Sequence, residues 1–346
     1  MIKSIHLKFI IKSFLIFAVI NLLSCKKDGG IVNEQLIVSK IDIPIPTDLD
    51  IVDFDVVDEN IYFAAAQHGY ELKLFKTIDG GKNWVDLNFS APILIDDFQS
   101  ISFIDENNGM IVAENRGYRT YNGGANWTTS LNLGVSAGTN TSNDFIFVGK
   151  TENNEFILAE SSPYTSNGYR NVFISPYNSL DFNPIYLSDI DDNIYNSAHY
   201  EDGKLIYFCR GFNCSNTKIS TFNTSTLNFT TYTIATDNRL GDAVYFNDDM
   251  YFAGSGIRYI SLANSKYDSF YNSNNNETFT SIEKIGDYMV AVGKSQIVSN
   301  YRGDWEEAIN KARKPFSGEF LKVKNLNDKY FLVSGKKGQF FKASFQ

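Results

Sequence analysis

The chain has 346 residues and carries 40 acidic against 31 basic side chains, a formal net charge of −9 at neutral pH. Such a balance argues against a nucleic-acid partner, because holding phosphates requires a basic surface. A chain of this length buries about three quarters of its unfolded surface, so a substantial core is expected, either in two domains or in one closed repeat fold.

The N-terminal segment is set apart from that core. Lys3, Lys8 and Lys12 give a basic start, and an apolar run from Phe14 to Leu23 follows that is too short to span a bilayer. Residues 1–24 therefore read as a secretory signal. Its end, Leu22-Leu23-Ser24-Cys25, resembles the lipobox of bacterial lipoproteins. The resemblance implies cleavage before Cys25 and diacylation of its thiol, and two acyl chains anchor stably where one would exchange. An ordinary signal peptide with a chance cysteine is the alternative. Removing residues 1–24 removes three lysines and no acid, leaving 28 basic and 40 acidic side chains and a net charge of −12.

Residues 25–35 are short, polar and glycine-containing, and read as a flexible tether. The Cys-Lys-Lys-Asp start is similar to that of Bacteroidota lipoproteins. It implies an extracytoplasmic protein lipid-anchored to the outer membrane, on its periplasmic or cell-surface side.

From residue 36 to 346 the pattern is strands with period-2 alternation and turns rich in Gly, Asn, Asp and Ser, an all-β chain. Leu36–Ile41, Ile51–Val57, Asn60–Ala66, Gln99–Phe103 and Gly109–Glu114 are such strands. Trp305–Ala312 is the one stretch that suggests a helical turn or two.

One turn pattern recurs. Thr77-Ile-Asp79-Gly-Gly81-Lys-Asn-Trp84 and Thr120-Tyr-Asn122-Gly-Gly124-Ala-Asn-Trp127 lie 43 residues apart, a period that signals a repeat architecture. Worn copies follow at Ser175–Phe182, Thr221–Phe229, Ser261–Phe270 and Ser299–Trp305. The third positions fall at 79, 122, 177, 223, 263, 301 and near 344, giving seven units, the last without its fourth strand. Leu36–Ile41 is the donor that would complete it, because an open sheet edge in a ring would be left unpaired. The expected architecture is a single β-propeller of seven four-stranded blades closed by the N-terminal strand, with six or eight blades as alternatives.

The turn pattern resembles the Asp-box, or bacterial neuraminidase repeat, of sialidases, sortilin-type receptors and the photosystem II stability/assembly factor family. The stretch from Phe103 through Gly109 and Gly117 to Trp127 looks most like the last of these. Thr77, Asp79, Gly81, Trp84, Thr120, Asn122, Gly124 and Trp127 read as structural. The hydroxyls and Asp or Asn hold the turn, the glycines supply positive φ, and the tryptophans pack on the blade.

No catalytic residues, metal or cofactor are assigned. The sialidase pattern implies an arginine in the first blade, where Ile41-Asp-Ile-Pro44-Ile-Pro46 has none. His68 reads as a solvated loop residue, and Asp189-Ile-Asp191-Asp192 lacks the glycine of a calcium loop. Cys209 and Cys214 flank a turn-like tetrapeptide, and an exported protein would join them as a disulfide.

Function then falls to the loops between blades and between middle strands. There His68, Tyr70, Arg116, Tyr118, Arg119, Arg170 and Arg258 give a basic-aromatic candidate face. The expected role is a non-catalytic, membrane-anchored monomer that binds a protein or glycan partner. The alternative is a glycan-active enzyme with an unidentified carboxylate pair.

Overall fold

The computed structural model describes residues 35–46, 48–89, 98–132, 144–161, 170–176, 179, 182–187, 197–209, 217–234, 240–262, 266–272, 278–309, 316 and 318–346. The chain divides at residues 33 and 34 into two units, and the second carries all of the described elements. The signal, the tether and Cys25 therefore lie outside the described residues, as do Cys214 and the 189–193 acidic run.

In chain order, β1 (Leu36–Lys40) stands alone. Blade one is β2 (Asp50–Val56), β3 (Tyr62–His68), β4 (Glu71–Thr77) and β5 (Val85–Asp86), and blade two is β6 (Phe98–Phe103), β7 (Gly109–Ala113), β8 (Arg116–Thr120) and β9 (Thr128–Asn132). Blade three is β10 (Phe145–Lys150), β11 (Glu155–Glu160), β12 (Arg170–Pro176) and β13 (Asn183–Leu187). Blade four is β14 (Ser197–Glu201), β15 (Lys204–Phe208), β16 (Thr217–Asn223) and β17 (Asn228–Ile234). Blade five is β18 (Leu240–Phe246), β19 (Asp249–Gly254), β20 (Gly256–Ser261) and β21 (Lys266–Asn272). Blade six is β22 (Phe279–Ile285), β23 (Tyr288–Gly293), β24 (Ile297–Ser299) and β25 (Glu306–Glu307), and β26 (Phe320–Asn325), β27 (Phe331–Gly335) and β28 (Phe340–Phe345) begin blade seven.

Each blade is a four-stranded antiparallel sheet, and β1 supplies the fourth strand of blade seven. It pairs with β28 from Leu36 opposite Phe345 to Lys40 opposite Phe341. The seven-bladed count and the closure by the N-terminal strand both hold. Among the described residues there is no helix; in the Trp305–Ala312 stretch Glu306 and Glu307 pair with Ser299 and Val298 as β25, and residues 310–312 lie outside the described residues. Two paired residues are too few to show a period in sequence.

The core is cut into seven parts, one between each pair of adjacent blades. Phe63, Leu74, Ile101 and Phe103 fill the joint between blades one and two, and Phe54, Tyr62, Leu332 and Phe340 fill the joint between seven and one. Middle strands are thus buried on both faces, and β7, β23 and β27 are buried along their whole length. This explains their continuous apolar runs.

The pairing gives the ring two faces. Turns joining first to second and third to fourth strands share one, here the turn face. Loops joining second to third strands, and those between blades, share the other, the loop face.

Candidate functional site

The first strand of every blade is a sheet edge, and edge N–H groups need partners. These seven strands alone line a central cavity of about 790 Å3. In six blades the first strand has a β-bulge against the second, after Ile51, Phe98, Phe145, Leu240, Phe279 and Phe320. A bulge re-aims the side chain that follows. Blade four lacks it, and its strand pairs in unbroken register from Ser197 to Glu201.

The lining falls into two levels. Asp53, Ser100, Phe147, His199, Asp242 and Lys322 stand nearer the loop face, and Asp55, Ser102, Gly149, Glu201, Glu283 and Lys324 stand two residues further along. In blade five the second level is Val244, which instead joins the core with blade six.

Polar groups on this wall tie several blades to the next. Asp53 Oδ2 accepts from Ile101 N at 3.1 Å, Glu201 Oε2 from Tyr245 N at 3.0 Å, and Ser281 Oγ from Val323 N at 3.3 Å. Asp55 does the same for Phe103 N at 2.6 Å. Each carboxylate or hydroxyl therefore satisfies an edge amide of the following blade. Lys324 Nζ lies 3.4 Å from Asp53 and 3.7 Å from Asp55, closing the ring between blades seven and one. Lys322 Nζ reaches Asp242 Oδ2 at 3.0 Å, and Ser281 Oγ donates to the same oxygen at 2.7 Å.

These contacts set the protonation of the wall. Burial works against the Asp242 carboxylate, yet Lys322 and His199 hold its pKa below the usual range. Burial would lower His199, but Glu201, 3.7 Å from its Nε2, and Asp242 raise it. Glu283 differs from the others. Burial pushes its carboxyl up to about 8, Glu201 and Asp242 push the same way, and His199 and Lys324 only partly oppose them. No cation stands within ion-pair distance of Glu283 among the described residues.

On the turn face, the two clean turn copies share one geometry. Thr77 Oγ1 donates to Asp79 Oδ1 at 2.9 Å and accepts from Gly81 N at 3.0 Å, while Asn83 N donates to Asp79 Oδ1 at 2.9 Å. In the second copy Thr120 Oγ1 donates to Asn122 at 3.0 Å, Gly124 N donates to Thr120 Oγ1 at 2.9 Å, and Asn126 N to Asn122 Oδ1 at 2.9 Å. Gly81 and Gly124 both have φ near +88°. Trp84 donates its indole N–H to Gly81 O at 3.2 Å and packs on Phe340, and Trp127 packs on Phe89 and Phe103.

The expected loop-face residues separate. His68 and Tyr70 are exposed at the β3–β4 loop, Tyr70 to 59%. Arg116, Tyr118 and Arg119 stand in β8, not in a loop, and Arg258 stands in β20. Tyr118 is buried, and Arg119 is 0% exposed. The Arg119 guanidinium donates to Ser175 Oγ at 3.1 Å and Pro176 O at 2.9 Å in blade three and lies 4.8 Å from the Phe156 ring. Arg119 is thus an inter-blade fastener with nothing to offer a partner. Arg258 is half-buried and donates to Tyr271 O at 3.2 Å. Arg170 opens β12, and its side chain is outside the described residues. Cys209, at the end of β15, is buried and disulfide-bonded.

Sequence reasoning missed the channel. Its signal was present as Asp53 and Asp55, His199 and Glu201, and Lys322 and Lys324, polar pairs two apart in first strands. Among the described residues no group of three or more His, Cys, Asp or Glu side chains is placed to hold a metal ion.

No family model matches the chain, and no curated protein matches it. Solved structures do. YCF48 bound to D1 peptide superposes with a TM-score of 0.62 at 16% identity, covering 90% of this chain and 94% of that one. YCF48 from Cyanidioschyzon merolae gives 0.63 at 15% identity, over 88% and 98% of the two chains. The extracellular domain of the one-component system BT4673 from B. thetaiotaomicron gives 0.60 at 10% identity, over 89% of this chain and 40% of that one. At these identities the likeness establishes the fold: the chain is a seven-bladed β-propeller similar to those of YCF48 and of a B. thetaiotaomicron extracellular domain.

Proposed function

We propose that this protein is a non-catalytic binding or assembly factor, lipid-anchored through Cys25 on the extracytoplasmic side of the outer membrane, whose ligand is a segment of another protein. One observation carries the non-catalytic part. Asp53, Asp55, Glu201 and Asp242 each accept a hydrogen bond that joins two blades. Hydrolysis of a glycosidic bond needs two carboxyl groups free to act on substrate, and among the described residues Glu283 is the one carboxyl on this wall that accepts no such inter-blade bond.

A polypeptide ligand is supported by the similar structure described as YCF48 bound to D1 peptide. The ligand would meet the loop face and the channel mouth, where Tyr70 and His68 are exposed. The export reading adds a disulfide between Cys209 and Cys214, consistent with a buried, bonded Cys209.

A photo-crosslinking amino acid at position 70 in the native cell tests the binding role. Covalent adducts with one polypeptide, and none from the turn-face position Lys82, are expected. A glycan array that binds the protein while position 70 yields no adduct would overturn the reading. Membrane fractionation of Cys25→Ala tests the anchor, and retention in the membrane fraction would remove it.

A further inference from the structure

The channel wall has an uneven charge. Lys322 is engaged by Asp242, and Lys324 by Asp53 and Asp55. Lys150 donates to the carbonyls of Val56 and Phe103 at the turn-face mouth. Among the described residues every channel lysine is thus engaged, by partners on blades one, two and five. What is left over is acidic: Glu283, which burial keeps protonated near neutrality and which has no ion-pair partner among the described residues, and Glu201, whose Oε2 alone is used by Tyr245 N and His199. Val244, buried between these two glutamates in the ring order, supplies no counter-charge.

On blade three, next to the blade that carries Glu201, an aromatic ring, Phe147, lines the same cavity. A Cβ on Gly149 would sit 2.6 Å from the Phe147 ring, so the glycine leaves room for that ring at the second level, where it also packs on the core between blades three and four. Ammonium and guanidinium groups are attracted to the face of such a ring. A cavity of about 790 Å3 is far roomier than a bare metal ion needs, and it offers no metal-ligand cluster among the described residues.

We propose that Glu283 and Glu201, with the Phe147 ring, form a site for an organic cation, the ammonium or guanidinium group of a lysine or arginine side chain on a bound polypeptide. The inference rests on the binding role proposed above and names the chemistry of its ligand. The groups facing Glu283 are His199 and Glu201 from β14, Asp242 from β18, and Lys322 and Lys324 from β26, with Asp53 and Asp55 beyond. A cation arriving among them displaces the proton that burial keeps on Glu283 near neutrality.

Calorimetric titration of the full chain in detergent micelles with acetyl-Gly-Lys-Gly-amide and acetyl-Gly-Glu-Gly-amide tests the site. The lysine peptide should bind and the glutamate peptide should not. Binding at pH 7, followed in buffers of different ionisation heat, should release protons. Glu283→Gln should weaken the lysine peptide at least about tenfold and abolish the release. Phe147→Leu, which leaves every carboxylate in place, should weaken it about threefold and guards against misfolding of the first variant. Equal binding of both peptides, unchanged affinity in both variants, or competition by calcium chloride would each overturn the site. A partner still crosslinked at position 70 in Glu283→Gln would remove this inference and leave the binding role standing. A lysine peptide bound by a protein that crosslinks no partner would do the reverse.

Discussion

Lys322 of blade seven pairs with Asp242 of blade five at 3.0 Å, reaching past blade six, whose Ser281 donates to the same carboxylate oxygen at 2.7 Å. Three blades are thus fastened at one buried atom. Removing one partner of such a pair strands the other, whereas removing both does not. Lys322→Met should cost about 2–3 kcal/mol in urea unfolding, and Lys322→Met with Asp242→Asn should recover most of that. A single variant whose midpoint matches the wild type would show that the contact is ornamental.

The acids of the channel give stability a direction in pH. The Glu283 pKa is raised from 4.5 to about 8, so its proton is bound more tightly in the folded state. Its contribution is complete below 4.5 and is lost as pH rises toward 8. His199, raised from 6.5, is likewise lost with rising pH, while Asp242, lowered from 3.8, is lost on acidification. Thermal midpoints should therefore fall between pH 5 and 8, and Glu283→Gln should flatten the fall. A wild-type midpoint that climbs across this window contradicts the assignment.

Two glycines of similar backbone sign should respond differently. Gly124 has φ +88° and an added Cβ would meet Leu87 at 2.5 Å, whereas Gly69 has φ +55° with nothing within 4 Å. Gly124→Ala should cost about 2–3 kcal/mol and Gly69→Ala about 1 kcal/mol. Equal losses in chemical denaturation would place the cost in the backbone alone.

Arg119 should behave as a core residue. Its fork spans Ser175 and Pro176 between the Phe156 and Tyr121 rings. Lysine cannot reproduce that geometry, so Arg119→Lys should lower stability by about 1.5–3 kcal/mol with ligand affinity unchanged in the protein that remains folded. An affinity loss without a stability loss would return Arg119 to the binding face.

Much of the ring was legible in the sequence, and for a physical reason. The turns at Thr77 and Thr120 are held by their own side chains, so their pattern is local and survives without tertiary context. The missing strand of blade seven was legible from the spacing alone. The channel was not, because Phe147, Glu201 and Glu283 come to line one cavity only when the blades close into a ring, and in sequence each is one polar or aromatic residue within its strand. Arg116, Tyr118, Arg119 and Arg258 were misplaced because the loops after β7 and β19 are only two residues and one residue long. Glycines within those strands, Gly117 and Gly256, mimicked turn punctuation.

Deleting β1 should be far more harmful than deleting what precedes it. Leu36 sits in the core between blades six and seven, and Gln346 N bonds Gln35 O at 3.1 Å. A chain beginning at residue 35 should keep a single cooperative melt. A chain beginning at residue 42 should expose the edge of β28 and self-associate, read by size-exclusion chromatography. A monomeric, cooperative product from the shorter chain would mean the ring closes without its clasp.

That clasp has a mechanical meaning. β1 enters beside Phe345 on the turn face and runs antiparallel to β28 for five paired residues. Tension between a membrane anchor at the start of the chain and a ligand held on the opposite face would pull β1 along its own length. Its ladder would then be loaded in shear, all rungs together, instead of being unzipped one rung at a time. The same strand that completes the fold would be the cable that moors it, with the loop face turned outward from the membrane.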